Sequence, residues 1–284
     1  MQYALSLPNA GPCGDPRTLA ELAALAEASG WDGLFLEDYL VYQNQVGVPT
    51  YDPWVCLAAI ATRTQRIRLG TAVTPVPRRR VQKLAAETVA LDHLSSGRLT
   101  LGVGLGDQWD ASLSAFGDAR DPRARAHALD ESLEALVGLW RGEPFSYSGS
   151  VVHIDNVTLV PKPVQQPRIP IWVGGLYPRR GPIERAARWD GSCLWKAASY
   201  SATEAVQLDW TPEDIHALST EVAKRRSLDG YDISVGGRER KPDWDAERSL
   251  IRSLADAGAT WWMEWIKAAP RETMQPAIER GPLR

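Results

Sequence analysis

The chain has 284 residues, a length that suits one (β/α)₈ barrel and allows a large core without disulfides or a structural metal. Its 32 Lys and Arg nearly balance its 35 Asp and Glu, and the net charge of −3 excludes the basic surface needed for nucleic acid or anionic membranes. The 3 widely spaced cysteines, the 4 scattered histidines and the lack of a leader or long apolar run predict a cytoplasmic protein without a metal site.

Short runs rich in Val, Ile and Leu alternate along the chain with longer segments of helical period, a pattern typical of βα units around a parallel sheet. The predicted strands are residues 2–7, 33–37, 66–73, 98–104, 169–173, 190–194, 231–235 and 259–264. The predicted helices are residues 15–29, 53–63, 81–95, 122–140, 181–188, 211–227, 243–257 and 271–279. This repetition predicts a TIM barrel as one domain over residues 1–284, with an open doubly wound sheet as the alternative.

Helix starts carry their own signals, because Asp52, Asp121 and Thr211 each precede a proline and so predict capped first turns. One segment breaks the alternation of strands and helices. Residues 144–160 contain two short β-patterned runs around Ser148-Gly149 and lead into a proline-rich stretch. We expect a β-hairpin inserted before the fifth barrel strand.

Loops at the carboxyl ends of the strands form the active site of such a barrel. Asp38 follows the second strand and Asp107 the fourth, where they serve either as acid and base or as helix caps. Tyr39 is suited to hydrogen-bond an oxyanion or to form an aromatic wall. The basic run 78–80 after the third strand is either a solvated surface or a contact for an anionic cofactor tail.

Glycines and tryptophans add further candidates. The glycine series at 102–106 is not followed at once by a helix, which favours close approach of a flat ligand, or ordinary turns, over a dinucleotide motif. Gly174-Gly175 predicts a phosphate site, and Gly236-Gly237 competes with it. Three tryptophans are predicted to line an apolar pocket, namely Trp109, Trp195 and Trp210. Residues predicted to be structural are Trp54, Trp140, Trp261, Trp262 and His93.

Three segments carry a family resemblance: residues 66–106, PIWVGG at 170–175 and ERAARWDG at 184–191. They resemble the luciferase-like monooxygenase superfamily of flavin-dependent enzymes. The ending at 258–284 resembles one bacterial branch of that superfamily, and we therefore expect a complete chain. The resemblance implies a barrel that holds reduced FMN or the deazaflavin F420 at the carboxyl end of its strands. It also implies a small-molecule substrate, a flavin reductase that supplies reduced flavin, and a homodimer.

The resemblance assigns roles to individual residues. A cis peptide bond is implied between Ala72 and Val73, behind the flavin ring. Contacts with the cofactor are implied for Thr71, Ala72, Val73, Gly104, Gly174, Gly175 and Leu176, the last three through backbone donors to its phosphate.

A departure from the family pattern falls at the position of a proton-moving histidine, where this chain has Asp38-Tyr39. Tyrosine, with an ordinary pKa of about 10, is a poor base near neutrality, so Asp38 or Asp107 would have to replace the histidine. The predicted activity is a monooxygenase that uses FMN and dioxygen on a small apolar substrate. Two alternatives are F420-dependent hydride transfer and a non-catalytic flavin-binding or partner subunit.

Overall fold

Parallel strands close into a barrel in the computed structural model, which describes residues 1–107, 109–118, 121–200 and 205–284. The barrel strands are β1 (Gln2–Leu7), β2 (Gly33–Leu36), β3 (Arg68–Thr71), β4 (Leu99–Gly104), β5 (Ile171–Tyr177), β6 (Gly191–Tyr200), β7 (Asp232–Arg238) and β8 (Trp261–Trp265). Each strand pairs with its neighbour in sequence order, and β8 pairs with β1 to complete the ring. The predicted TIM barrel is confirmed, and the open-sheet alternative is wrong because this ring has no free edge.

Helices surround the barrel close to their predicted positions. Their bounds are α1 (Pro16–Ala28), α2 (Pro53–Arg63), α3 (Val81–Leu94), α4 (Pro122–Leu139), α5 (Arg180–Ala186), α6 (Pro212–Ala223), α7 (Trp244–Asp256) and α8 (Arg271–Glu279). The predicted caps are confirmed. The side chains of Asp52, Asp121 and Thr211 each accept hydrogen bonds from N–H groups in the first turn, and each of these residues directly precedes the proline that begins the helix. Within the described ranges, every helix is too short or too polar to cross a bilayer.

Smaller elements decorate the connections between strands and helices. A two-stranded antiparallel sheet, Phe145–Ser148 with His153–Val157, precedes β5. Its turn is held by Glu131 of α4, whose carboxylate accepts hydrogen bonds from the N–H groups of residues 150–152 at 2.8 to 2.9 Å. Burial opposes ionisation there, but these hydrogen bonds outweigh it and lower the pKa of Glu131 to about 2.

Other short elements lie near the carboxyl ends of the strands. They are the one-turn helix Ala111–Ser114, the 3₁₀ turns Tyr42–Asn44 and Val76–Arg78, and the strands Thr74–Pro75 and Ala205–Gln207. Thr74–Pro75 pairs with the last residues of β4, and Ala205–Gln207 pairs antiparallel with β6. These pieces build the loop side of the barrel on which the candidate site lies.

Aromatic side chains fill the middle of the barrel. Phe35 of β2 stacks on Trp172 of β5 with ring centroids 5.2 Å apart, and both rings contact Trp261 of β8 edge-on. Ala4 and Met263 complete this buried cluster, which we call the aromatic floor. A separate and larger core lies between the strands and the helices. The barrel is therefore closed at mid-height by side chains.

Replacing Phe35 with alanine tests how much the aromatic floor stabilises the fold. Because Phe35 is fully buried between two tryptophans, we expect Phe35→Ala to lower the free energy of unfolding by about 3–5 kcal/mol in urea titrations. Phe116→Ala is the matched control, since that ring is 66% exposed and should change stability by no more than about 0.5 kcal/mol. Equal losses in the two variants would contradict a packed floor.

Candidate functional site

The space above the aromatic floor, at the carboxyl end of the barrel, is the candidate site, and we call it the depression. Ala72 and Cys193 pack against the floor, yet both remain partly exposed. The strand register places both residues one layer above the floor. Ala72 lies two residues beyond Gly70, which pairs with Phe35 of the floor. Cys193 pairs with Gly174, which lies two residues beyond Trp172 of the floor. The barrel interior is thus filled below this layer and accessible above it.

Glu37 points into this depression. It lies two residues after Phe35, and the side chains of a strand alternate between its two faces. Its Oε1 accepts a hydrogen bond from the indole Nε1 of Trp265 at 3.1 Å. Its Oε2 is buried and has no hydrogen-bond partner among the described residues. Burial raises the pKa of Glu37 to about 7, and the hydrogen bond from Trp265 opposes that rise only in part.

Asp38 faces the opposite way and is held by cations. Arg78 donates to its Oδ1 and main-chain oxygen, and Arg79 donates to both carboxylate oxygens at 2.8 and 3.0 Å. Thr74 Oγ1 donates to Oδ2 at 2.8 Å. The description of residues 78–80 as a solvated run is wrong for Arg78 and Arg79, because their side chains are only 4% and 16% exposed. Each carboxylate oxygen of Asp38 therefore already accepts two hydrogen bonds. This suits a structural carboxylate better than a base.

The Ala72-Val73 peptide bond is cis, as predicted. Thr71 donates to the carbonyl of Gly102 at 2.9 Å, so its hydroxyl links β3 to β4. The Val73 side chain lies between Gly104 and Gly174, where an added Cβ atom would come within 2.7 and 2.8 Å of it. The two glycines are therefore required by packing against Val73. This protein contact, rather than room for a ligand, explains why a side chain is absent at both positions.

Gly174, Gly175 and Leu176 belong to β5 itself, which continues to Tyr177 instead of ending at residue 173 as predicted. They pair with Cys193, Leu194 and Trp195 of β6. Gly175 is exposed on this edge of the depression, so its backbone is accessible to an anion.

The competing glycine pair is arranged differently. Gly236 and Gly237 have left-handed backbones, with φ of +98° and +80°. The following Arg238 is already paired with Asp209 and Glu247. A phosphate would have to compete with two carboxylates there, which favours the β5 position.

Two loops form the rim of the depression. Asp107 is partly exposed after β4 and accepts the N–H of Trp109 at 3.0 Å. The Trp109 carbonyl accepts from Asn44 Nδ2 at 2.9 Å, which ties the loop after β4 to the loop after β2. Tyr39 packs its ring edge-on against Tyr42, with centroids 5.5 Å apart. The structure thus brings Asp107 and Tyr39 to adjoining parts of the rim.

The tryptophans divide between core and rim. The predictions for Trp54, Trp140, Trp261 and Trp262 are confirmed, since all four are buried. The prediction for Trp210 is wrong, because that ring is 2% exposed and packs 4.7 Å from the ring of Tyr177. Trp109 is 43% exposed and Trp195 is partly exposed.

Sequence reasoning missed Trp265 and Glu37. Every second residue of a strand lies on the same face. Counting in steps of two from Phe35 reaches Glu37, and counting in steps of two from Trp261 reaches Met263 and then Trp265. That count requires knowing which face of each strand is inward, and strands buried on both faces do not show it.

Comparisons with known proteins agree with this geometry. The family model described as luciferase-like monooxygenase matches residues 2–208. An F420-dependent glucose-6-phosphate dehydrogenase of Nakamurella multipartita is 34% identical over 168 residues, 57% of this chain and 48% of that protein. The oxygenase component of a flavin-dependent trigonelline monooxygenase of Acinetobacter baylyi is 27% identical over 160 residues, 56% of this chain and 43% of that protein. The aligned part of the chain thus spans just under half the length of these two curated relatives.

A solved structure shows the same fold over nearly the whole chain. The coenzyme F420-dependent tetrahydromethanopterin reductase of Methanopyrus kandleri superposes with a TM-score of 0.74, at 18% identity. The match covers 98% of this chain and 96% of that one. Since the family model covers most of a closed (β/α)₈ barrel with an open carboxyl end, the chain belongs to the luciferase-like monooxygenase family.

Proposed function

We propose that the protein is a flavin-dependent oxidoreductase, a monooxygenase that acts on a small apolar organic substrate with reduced FMN and dioxygen. The observation that carries this proposal is the open depression with an apolar base and a polar wall. Ala72 and Cys193 provide the base, and Glu37 and Trp265 provide the wall. Delivery of reduced FMN by a flavin reductase and assembly as a homodimer belong to the same proposal.

The donor set of the depression fits a flat heteroaromatic ring. Such a ring has apolar faces, which match the surface over the aromatic floor, and polar edges with N–H groups. The buried Oε2 of Glu37 has no partner among the described residues, and a polar ring edge would supply one. The exposed backbone of Gly175 is the corresponding place for a phosphate tail. When bound, reduced flavin would supply the electrons for the reaction, and these residues would orient it and exclude water.

The charges at the site favour an apolar substrate. Arg78 and Arg79 lie on the loop side, but both are already paired with Asp38, and Arg79 also lies 3.8 Å from Glu87. Lys196, near the end of β6, is paired with Asp214 at 2.5 Å. Trp109 and Trp195 offer apolar surface at the rim. An anionic substrate would have to share these cations with the carboxylates that already pair with them, whereas an apolar substrate would not.

F420-dependent hydride transfer is the second candidate. It is favoured by sequence identity to the two curated relatives described above. The chain is 34% identical to the F420-dependent dehydrogenase and 27% identical to the flavin-dependent monooxygenase. A third candidate, a binding subunit without turnover, is motivated by Asp38-Tyr39 at the position of the family histidine. Titration with reduced FMN and reduced F420, followed by turnover with and without dioxygen, separates the three.

A large side chain in the depression should weaken cofactor binding. We expect Ala72→Phe to weaken the binding of whichever reduced cofactor the wild type binds by at least about ten-fold, equivalent to ~1.4 kcal/mol, because the new ring would occupy the space above the floor. Quenching of tryptophan fluorescence during titration measures this. Ala28→Phe, at the exposed end of α1, is the matched control and should bind like wild type. Unchanged affinity in a folded Ala72→Phe protein would place the cofactor elsewhere.

Asp38 and Asp107 should respond differently to neutralisation. Asp38→Asn leaves two largely buried arginines without their shared counter-charge, and we expect it to lower the free energy of unfolding by about 3–5 kcal/mol. Asp107→Asn keeps an oxygen that can accept the Trp109 N–H, so its stability should stay within about 0.5 kcal/mol of wild type. Urea unfolding measures both.

The exposed Asp155→Asn variant is the control for loss of one surface charge. A fully stable Asp38→Asn protein that has lost turnover would instead restore Asp38 as the acid or base. A loss of turnover confined to Asp107→Asn would assign that role to Asp107.

A further inference from the structure

Glu37 differs from the three buried glutamates among the described residues, Glu131, Glu247 and Glu264. Glu264 is paired with Arg240 and Arg280, and Glu247 is paired with Arg238. Glu131 accepts three main-chain N–H groups. Each of these carboxylates has cationic or main-chain donors as partners, as buried charges require. Glu37 has one neutral indole donor on Oε1, and no described residue is bonded to its buried Oε2.

The surroundings of Glu37 leave it as the titrating group of the depression wall. Tyr42, from the 3₁₀ turn after β2, has its pKa raised by burial and further by Glu37 itself, so its hydroxyl stays neutral. Cys193, from β6, has its pKa raised to about 12 by burial, so its thiol also stays neutral. From β8 the neighbour is the indole of Trp265. Asp38, the next residue in the chain, faces Arg78 and Arg79 on the other side of the strand.

We propose that Glu37 is the catalytic acid of the site, and that this role rests on the proposed flavin-dependent function. The proton on Oε2 passes to an oxygen or nitrogen atom of the molecule seated in the depression, which leaves a carboxylate that Trp265 hydrogen-bonds. A proton from the solvent pool then returns to the carboxylate, so that one proton is given and one regained in each cycle. Glu37 thereby replaces the histidine that the family pattern places at Asp38-Tyr39.

The first test reads the protonation of Glu37 without any cofactor. Because the folded protein holds this proton more tightly than the unfolded chain, wild type loses stability as pH rises from about 4.3 through 7. Glu37→Gln lacks this loss. The difference between its midpoint of thermal unfolding and that of wild type should therefore increase by several degrees from pH 5 to pH 8. Glu239→Gln, which removes an exposed carboxylate, should show no such trend. A flat difference for Glu37→Gln overturns the proposal.

The second test uses turnover with the cofactor that wild type binds. We expect kcat of wild type to fall as pH rises through about 7, because the acid must carry its proton. Glu37→Gln should lower kcat by about 100-fold or more, with KM changed less than about three-fold and the limb near pH 7 absent. Glu37→Asp should recover part of kcat and restore a pH-dependent limb. Glu239→Gln should keep the wild-type profile.

The outcomes separate the two proposals. Wild-type binding and turnover, with an unchanged rate and pH profile in Glu37→Gln, would overturn the role of Glu37 and leave the flavin-dependent function standing. Failure of wild type to bind either reduced FMN or reduced F420 would overturn the function, and the catalytic role of Glu37 would fall with it. In that case the stability difference between pH 5 and pH 8 would still report the buried proton.

Discussion

The site depends on one constraint, the height at which the aromatic floor closes the barrel. Asp232, at the start of β7, sets that height, because its carboxylate accepts the indole N–H groups of Trp261 at 3.1 Å and Trp172 at 3.2 Å. Burial raises the pKa of Asp232, and these hydrogen bonds partly offset that effect. With both indoles fixed from below, Phe35 stacks between them and the next layer is left open. Positions one layer higher therefore become site positions by register alone.

The walls of the depression follow from close packing among β3, β4 and β5. Val73 occupies the space beside Gly104 and Gly174, and the carbonyl of Thr71 occupies the space beside Gly102. A side chain at any of these glycines would force neighbouring strands or Val73 to move. The glycines thus shape the site indirectly. They leave room for the side chain of Val73, which forms this part of the wall.

Much of the fold was predictable, because the alternation of strands and helices and the caps followed by a proline are local signals. Residues 53–63 and 122–140 follow such caps and match α2 and α4 to within one residue, and the resemblance supplied the Ala72-Val73 bond. The errors concern partners distant in sequence. The burial of Trp210 depends on Tyr177, and the pairing of Arg78 and Arg79 depends on Asp38, some 40 residues away. A run of like charges reads as solvated unless its counter-charge is known.

Glu37 and Asp38, the two carboxylates that directly follow β2, lie in different surroundings. Odd-numbered positions of β2 point to the barrel axis, as Phe35 does, and even-numbered ones point to the helices, as Leu36 does. Asp38 therefore meets arginines, while Glu37 meets apolar surface, and burial raises the pKa of Glu37 to about 7. Tyr39 follows the end of the strand and packs on Tyr42. Of the three consecutive residues, Glu37 is the one that follows Phe35 on the axial side and accepts a hydrogen bond from Trp265 of β8, so the proton transfer proposed for it does not depend on the family histidine.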